Sequence, residues 1–320
     1  MIIRSWSETF EEAEGMCIIE NLIAHNYISN PKQLIAESKL ADPEYFNDKL
    51  IAEIDGQTVG WINIGQGKKE NTHIFFFDLF VNPMEQYQGV GTKLYNKFIS
   101  KVKSLGCTKI VSEIYEHPNW SSGKSFLKKH KFEHICTYRE YSLNLENINF
   151  NKYNSLLHEV LNQGFRFIEP IKEGYNSSEH YKKLESMQWS YFQDMPYPEG
   201  ITPTRDNYNL WLKEHEYFEE ENYGIELLLL NSNNDYVGCT QLEADRIEIK
   251  KCWTNNLGVI KYYRRKKLGT ALKIEALKRL KKRGFNEIRT DNEENNPMYK
   301  INLNLGFEEV PFSLEYMKEL

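Results

Sequence analysis

The chain lacks any long apolar run. Nowhere in its 320 residues does a stretch approach the ~20 apolar positions of a membrane span, so membrane insertion is not expected. The first fifteen residues are acidic beyond Arg4 and have no apolar centre of the kind a signal peptide carries, so secretion is not expected either. Cysteine is scarce. Cys17, Cys107, Cys136, Cys239 and Cys252 are scattered, odd in number and include no close pair suited to zinc or redox work, which reads as reduced thiols in a cytoplasmic protein. Positive charge is in deficit: 40 Lys and Arg against 46 Asp and Glu leave a net charge of -6, so nucleic acid and anionic membrane are poor partners. Low-complexity tracts are missing, and the basic stretch 278–283 reads as a solvated helix face.

What is present is a repeat. The segment Val81-Asn82-Pro83-Met84-Glu85-Gln86-Tyr87-Gln88-Gly89-Val90-Gly91 has a degraded copy at Val259 to Gly269. The pairs Val81 and Val259, Gln86 and Arg264, Gly91 and Gly269, Gly106 and Gly284, and Ile110 and Ile288 all lie 178 positions apart, and Val59-Gly60 keeps the same spacing to Val237-Gly238. The length suffices for two domains, each with its own core. Residues 74–80 are nearly all Phe, Leu and Ile, which fits a strand buried on both faces. Leu94, Phe98, Val102 and Leu105 recur at helical spacing and Gly106 supplies a left-handed stop, so the two glycines sit in a strand-to-helix turn. The first amides of a helix have no internal partner and its dipole is equivalent to roughly +0.5 charge there, so an anion belongs at this turn. Glycine at 89 and 91 lets a pyrophosphate approach the backbone.

The first half is therefore expected to hold a strand near 1–5, helices across 10–40, strands at about 49–54, 58–64 and 73–81, the loop and its helix, a strand at 109–115, a helix at about 121–130 and closing strands after Phe132. The second half repeats this from Phe165, with a helix to Arg283, a strand at 287–290 and a helix at 298–305. Between them, Leu156, Leu157, Val160 and Leu161 predict a helical connector ending at Gly164. The expected division is 1–148, a connector at 149–164, and 165–320.

This order of elements, with Val81, Pro83, Gln86, Gly89 and Gly91 in their spacing, resembles the GNAT N-acetyltransferase superfamily in both halves, as a tandem protein. The resemblance implies an α/β (α+β) fold of two GNAT-type domains, each a mixed, splayed, largely antiparallel sheet flanked by helices. It also implies acetyl-coenzyme A (acetyl-CoA) as cofactor, gripped in the first half by Leu79, Phe80, Val81, Gln86, Tyr87, Gln88, Gly89, Val90, Gly91 and Thr92, with Asn119 beside the pantetheine. In the second half the matching set is Val259, Arg264, Arg265, Lys266, Lys267, Gly269, Thr270 and Asn295. There Lys261 replaces the proline and Lys267 the first glycine, while Asn295, Met298, Asn302, Leu305, Gly306 and Phe307 resemble the ending of two-domain members.

Acyl transfer to an amine needs a base, a polarised carbonyl and a proton for the leaving thiolate. The tyrosine that often serves as acid in the family is replaced by Leu127 and Asn302, and Tyr115 and Tyr299 read more simply as packing residues. Asp78 and Glu248, taken to lie on the strands before the two loops, are the candidate bases; His73 and His117 read more simply as surface or packed groups. The aromatic, proline-broken stretch 188–198 offers Trp189, Asp194 and Tyr197 as acceptor-binding candidates. The expected function is transfer of an acetyl group from acetyl-CoA to an amine of a small molecule, less readily a peptide, in a monomer or homodimer. The alternative is an acyl-CoA-binding or sensing protein with one or both domains inert.

Overall fold

The structure, a computed structural model, describes residues 1–24, 28–220, 224–245, 248, 250–296 and 298–320. Residues 25–27, inside the span expected to be helical, lie outside the described residues. The chain divides into two compact units: unit 1 is 1–138, 198–204 and 311–320, and unit 2 is 139–197 and 205–310. The last ten residues thus belong with the N-terminal half, which a contiguous division does not foresee.

Unit 1 runs β1 (Ile2–Ser5), α1 (Phe10–Asn21), α2 (Pro31–Leu40), β2 (Asn47–Ile54), β3 (Gln57–Gln66), β4 (Ile74–Val81), α3 (Val90–Ser104), β5 (Lys109–Tyr115), α4 (Ser121–Lys129) and the start of β6 (Glu133–Asn144). Strands β1 to β4 pair antiparallel in chain order, and β5 joins β4 in parallel. The far edge of β5 is covered by β12 (Glu308–Glu319), antiparallel, with Ser313 opposite Tyr115 and Glu319 opposite Lys109.

The α3 sequence buries Val90, Leu94, Tyr95, Phe98 and Val102, one stripe at helical spacing, against Phe75 and Phe77 of β4. Each such side chain contributes roughly 1.5–3 kcal/mol of burial. Leu105, expected on that stripe, is 43 % exposed because the helix has already ended at Ser104. Gly60 explains its place in the repeat: a Cβ there would lie 2.9 Å from the Phe80 carbonyl oxygen, and at Gly238 one would lie 2.4 Å from the Gly258 carbonyl oxygen.

Unit 2 follows the same order: the end of β6, α5 (Asn154–Asn162), β7 (Arg166–Ile168), α6 (Ser178–Phe192), α7 (Tyr208–Glu220), β8 (Gly224–Leu230), β9 (Tyr236–Ala244), β10 (Lys251–Val259), α8 (Leu268–Lys282), β11 (Glu287–Glu293), α9 (Tyr299–Leu305) and the start of β12. The expected connector is α5, which packs into this unit's core through Leu157 and Val160. Strands β7 to β10 pair antiparallel in chain order and β11 joins β10 in parallel. All five cysteines are buried and none is in a disulfide, and among the described residues no helix is long and apolar enough to cross a membrane.

Candidate functional site

In unit 1 the parallel pairing of β4 and β5 stops after Phe76 opposite Val111. Beyond that point the strands part, and a cavity of about 300 Å³ opens between Phe77, Asp78 and Leu79 on one side and Ser112, Glu113 and Ile114 on the other. The glycine loop closes one end of it. After β4, Asn82 Oδ1 accepts from the Met84 amide at 3.0 Å and Gln86 Nε2 donates to the Val81 carbonyl at 3.2 Å, which pins the loop to its strand. The backbone then turns left-handed at Tyr87 (φ +61°) and Gly89 (φ +87°), the latter capping α3. Among the described residues the amides from Gln86 to Thr92 donate to no protein group; the first to do so is that of Lys93, to the Gly89 carbonyl at 3.0 Å. A run of unpartnered amides at a helix N-terminus is an anion site by construction.

Of the residues expected at the cofactor, Leu79, Val81, Gln86, Tyr87, Gly89, Gly91, Thr92 and Asn119 line this cavity. Phe80 instead stacks on Trp61 at 4.9 Å, Val90 is buried in the core, and Gln88 donates to the Met84 carbonyl at 2.9 Å. The Asn119 side chain donates to the Ile23 carbonyl at 3.2 Å.

Asp78 lines the cavity as well. Burial raises its pKa, opposed by a hydrogen bond from Asn63 (3.3 Å) and by the charge of Lys49. The register explains the grouping. Lys49 on β2 stands opposite Asn63 on β3, and Asn63 opposite Asp78 on β4, so all three side chains share one face. Lys49 is only 6 % exposed; burial lowers its pKa, against the charges of Glu37, Glu8, Asp48 and Asp78.

Unit 2 carries the same row with other chemistry. Glu226 on β8 stands opposite Gln241 on β9, and Gln241 opposite Asn256 on β10. Gln241 and Asn256 lie 178 positions beyond Asn63 and Asp78, and His215 of α7 lies 178 beyond Glu37 of α2. The charges next to the two rows differ in sign: the charge of Glu37 acts on Lys49 in one half, and His215 lies beside Glu226 in the other. His215 Nε2 lies 3.1 Å from Glu219 and 3.5 Å from Glu226, and Nδ1 faces the Gln241 amide at 3.2 Å. Burial alone would lower the His215 pKa, but these two carboxylates raise it to about 9. This is the only group of three His, Cys, Asp or Glu among the described residues whose ligand atoms gather as a metal would require.

The unit 2 row is also closed. Gln241 donates to Glu226 at 2.8 Å, Asn256 donates to Gln241, and the Tyr191 hydroxyl donates to Asn256 at 3.3 Å. The Tyr191 ring lies flat against Gly258, where an added Cβ would meet it at 2.3 Å. The residue 178 positions before Asn256 is the carboxylate Asp78, which no tyrosine covers in the hydrogen bonds described.

The second loop repeats the first in backbone form. Arg265 (φ +64°) and Lys267 (φ +60°) take the conformations of Tyr87 and Gly89. Val259 ends β10 in the core, and Arg264 Nε donates to its carbonyl at 2.9 Å, as Gln86 does to Val81. Gly269 and Thr270 form the first turn of α8, and the Lys266 ammonium lies over the rings of Tyr262 and Tyr263. Asp194, expected at the acceptor, pairs with Arg264 at 2.8 Å. Tyr197 is 40 % exposed, and Trp189 is half-buried on α6. Asn295 is exposed and bonded to Glu293 at 2.8 Å. Glu248 is a correction: it lies in the turn before β10, not on a strand, and is held by Lys251 at 2.6 Å. The β10 register begins three residues later because the backbone first closes a turn through Lys251 N to the Glu248 carbonyl.

The description "Acetyltransferase (GNAT) family" belongs to a family model that matches residues 8–131 and 182–304, more than half of the chain. No curated protein matches. Among solved structures, a tandem GNAT protein from the clavulanic acid biosynthesis pathway is similar over 99 % of this chain and 98 % of its own, at 14 % identity and a TM-score of 0.76. A GCN5-related N-acetyltransferase from Sphaerobacter thermophilus is similar over 99 % and 95 %, at 13 % identity and a TM-score of 0.68. A GCN5-related glucosamine N-acetyltransferase region of a fungal multi-domain β-N-acetylglucosaminidase is similar over 98 % of this chain and 38 % of that one, at 13 % identity and a TM-score of 0.72. At these identities the likeness concerns the fold, and with the match in both halves it makes the chain a member of the GNAT acetyltransferase family, built as a tandem of two such domains, whose general activity is acetyl-CoA-dependent acyl transfer.

Proposed function

We propose that unit 1 transfers an acetyl group from acetyl-CoA to an amine of a small molecule, by direct attack in a ternary complex. The observation that carries this reading is the run of unpartnered amides from Gln86 to Thr92 opening onto the same cavity as Asp78. The cofactor brings the activated acyl group; the chain's part is to anchor, orient and move a proton. The amides of the loop would hold the pyrophosphate, and Leu79, Val81 and Ile114 would flank the pantetheine arm. Past Phe76 the edge of β4 toward β5 has no strand partner, which leaves backbone N–H groups there to polarise a carbonyl. Asp78, with its pKa raised by burial, is the group to take the proton of an attacking ammonium. Five buried cysteines outside any disulfide support a reducing compartment, the cytoplasm.

For unit 2 a different reading is favoured, a domain without turnover on amines. Asn256 stands where unit 1 has Asp78, and the Tyr191 hydroxyl already occupies it. Incubation of the full chain with acetyl-CoA and a panel of amines tests both readings. Thiol release above the no-acceptor rate, abolished by Asp78→Asn and kept in Tyr191→Phe, is the expected result. Absence of release with every amine would leave acyl-CoA binding without turnover as the function.

A further inference from the structure

His215 and Glu219 are one turn apart on α7, so both leave the same face of the helix, and Glu226 of β8 meets them there. Each of the three side chains is held from behind. The Tyr181 hydroxyl of α6 donates to Glu219 Oε2 at 2.8 Å, Gln241 Nε2 of β9 donates to Glu226 Oε1 at 2.8 Å, and the same amide nitrogen stands 3.2 Å from His215 Nδ1. Glu219 Oε1, Glu226 Oε2 and His215 Nε2 are left turned toward one another, and the ligand atoms of the three residues all lie within 4.8 Å of one another. Far atoms bonded to an outer layer and near atoms converging on one point is the way a protein orients metal ligands.

The separations fit an ion. Donor atoms about 2.0–2.1 Å from a tetrahedral metal lie roughly 3.3 Å from each other. Here Nε2 is 3.1 Å from Glu219 Oε1 and 3.5 Å from Glu226 Oε2. A second observation points to a ligand. Nε2 can carry one hydrogen, and the nearer Glu219 takes it. Glu226 Oε2 remains buried with no hydrogen-bond partner, on a side chain only 4 % exposed and aimed into the group. A buried acceptor without a partner is costly, and a bound cation removes that cost. Two carboxylates and a neutral imidazole also balance a divalent ion in charge, and nitrogen with carboxylate oxygen is a donor set that suits zinc. Glu219, at 12 %, is the ligand that solvent reaches.

Unit 1 has a different set at these places. Glu37 and Ala41 lie 178 positions before His215 and Glu219, and Lys49 stands opposite Asn63 as Glu226 stands opposite Gln241. One carboxylate and an ammonium cannot make the same site, so a metal belongs to unit 2 alone of these two places.

We propose that His215, Glu219 and Glu226 bind one zinc ion in unit 2, with water in the fourth position and with Tyr181 and Gln241 as positioning residues. The ion ties α7 to β8. In the metal-free chain a proton on Nε2 takes its place between the two carboxylates. The site is independent of the acetyl-transfer reading of unit 1.

The full chain, stripped with a chelator and dialysed free of it, is titrated calorimetrically with zinc chloride and separately with magnesium chloride. One zinc per chain is expected, with weaker binding of magnesium, and with zinc affinity at least ~tenfold lower in Glu226→Gln and in Tyr181→Phe. Zinc should raise the urea midpoint of the unmutated chain and leave that of Glu226→Gln where it is. Cobalt(II) loaded into the unmutated chain identifies the donors even if a variant fails to fold: visible bands without a thiolate charge-transfer band are expected. No zinc bound, equal affinity in the variants, magnesium bound as tightly as zinc, or a thiolate charge-transfer band would each overturn the proposal.

Discussion

Lys267 holds a left-handed backbone, φ +60°, at the position 178 residues beyond Gly89, φ +87°, and each caps the helix that follows. A lysine in that region is strained by roughly 1–2 kcal/mol, where glycine is not. Lys267→Gly is therefore expected to stabilise unit 2, by about 0.5–1 kcal/mol once the greater freedom of glycine in the unfolded chain is subtracted. Urea midpoints with an unchanged slope measure this. A fall in midpoint would mean that the Lys267 side chain makes contacts worth more than the strain.

Gly89→Glu places a carboxylate among the amides from Gln86 to Thr92 and forces a side chain into the left-handed region. Affinity for coenzyme A is expected to drop at least ~tenfold, since the anion site then meets a like charge. Titration calorimetry reads it directly, and an unchanged dissociation constant would remove the first loop as the pyrophosphate cradle.

Asp78→Asn keeps the hydrogen-bonding shape beside Asn63 but cannot accept a proton. The turnover number is expected to fall by a factor on the order of 10² to 10⁴, with acetyl-CoA affinity unchanged. Because burial raises the Asp78 pKa above its ordinary 3.8, the wild-type rate should climb with pH above the usual carboxylate range, and the variant should lose that limb. A variant with full turnover at pH 8 would assign the proton to another group.

His215 provides a pH test of unit 2. Its folded value, about 9, lies above its ordinary 6.5, so its contribution to stability is fully present below pH 6.5 and is lost as pH rises through 9. The size is about 3 kcal/mol at most, for a group buried between Glu219 and Glu226. His215→Gln should flatten the decline between pH 6 and 9.5 in denaturant melts. An identical decline in both proteins would show that the imidazole is neutral in the folded state.

What could be read along the chain was what local spacing encodes. The stripe Leu94, Phe98 and Val102 and the glycines at 89 and 106 carry helix and turn in their own order, and the strand at 109–115 has the bounds that its apolar run suggests. Asp78 stood out because it is one carboxylate in a run of Phe, Leu and Ile. Leu105 misled because helical spacing does not announce where the helix stops. Asp194 stood out as a carboxylate beside aromatics, and local sequence does not show that its partner is Arg264, seventy residues away.

The sequence by itself determined the repeat, the paired loops and the identity of the residues that follow each, because these depend on neighbours a few positions away. Only the tertiary structure decided that Glu315 stands opposite Glu113, that Lys49, Asn63 and Asp78 form one row, and that Tyr191 bonds Asn256 in unit 2 where Asn63 bonds Asp78 in unit 1. The physical reason is that strand register is fixed by hydrogen bonds between segments as much as two hundred residues apart in the chain, and a slip of one residue would turn every one of those side chains to the opposite face.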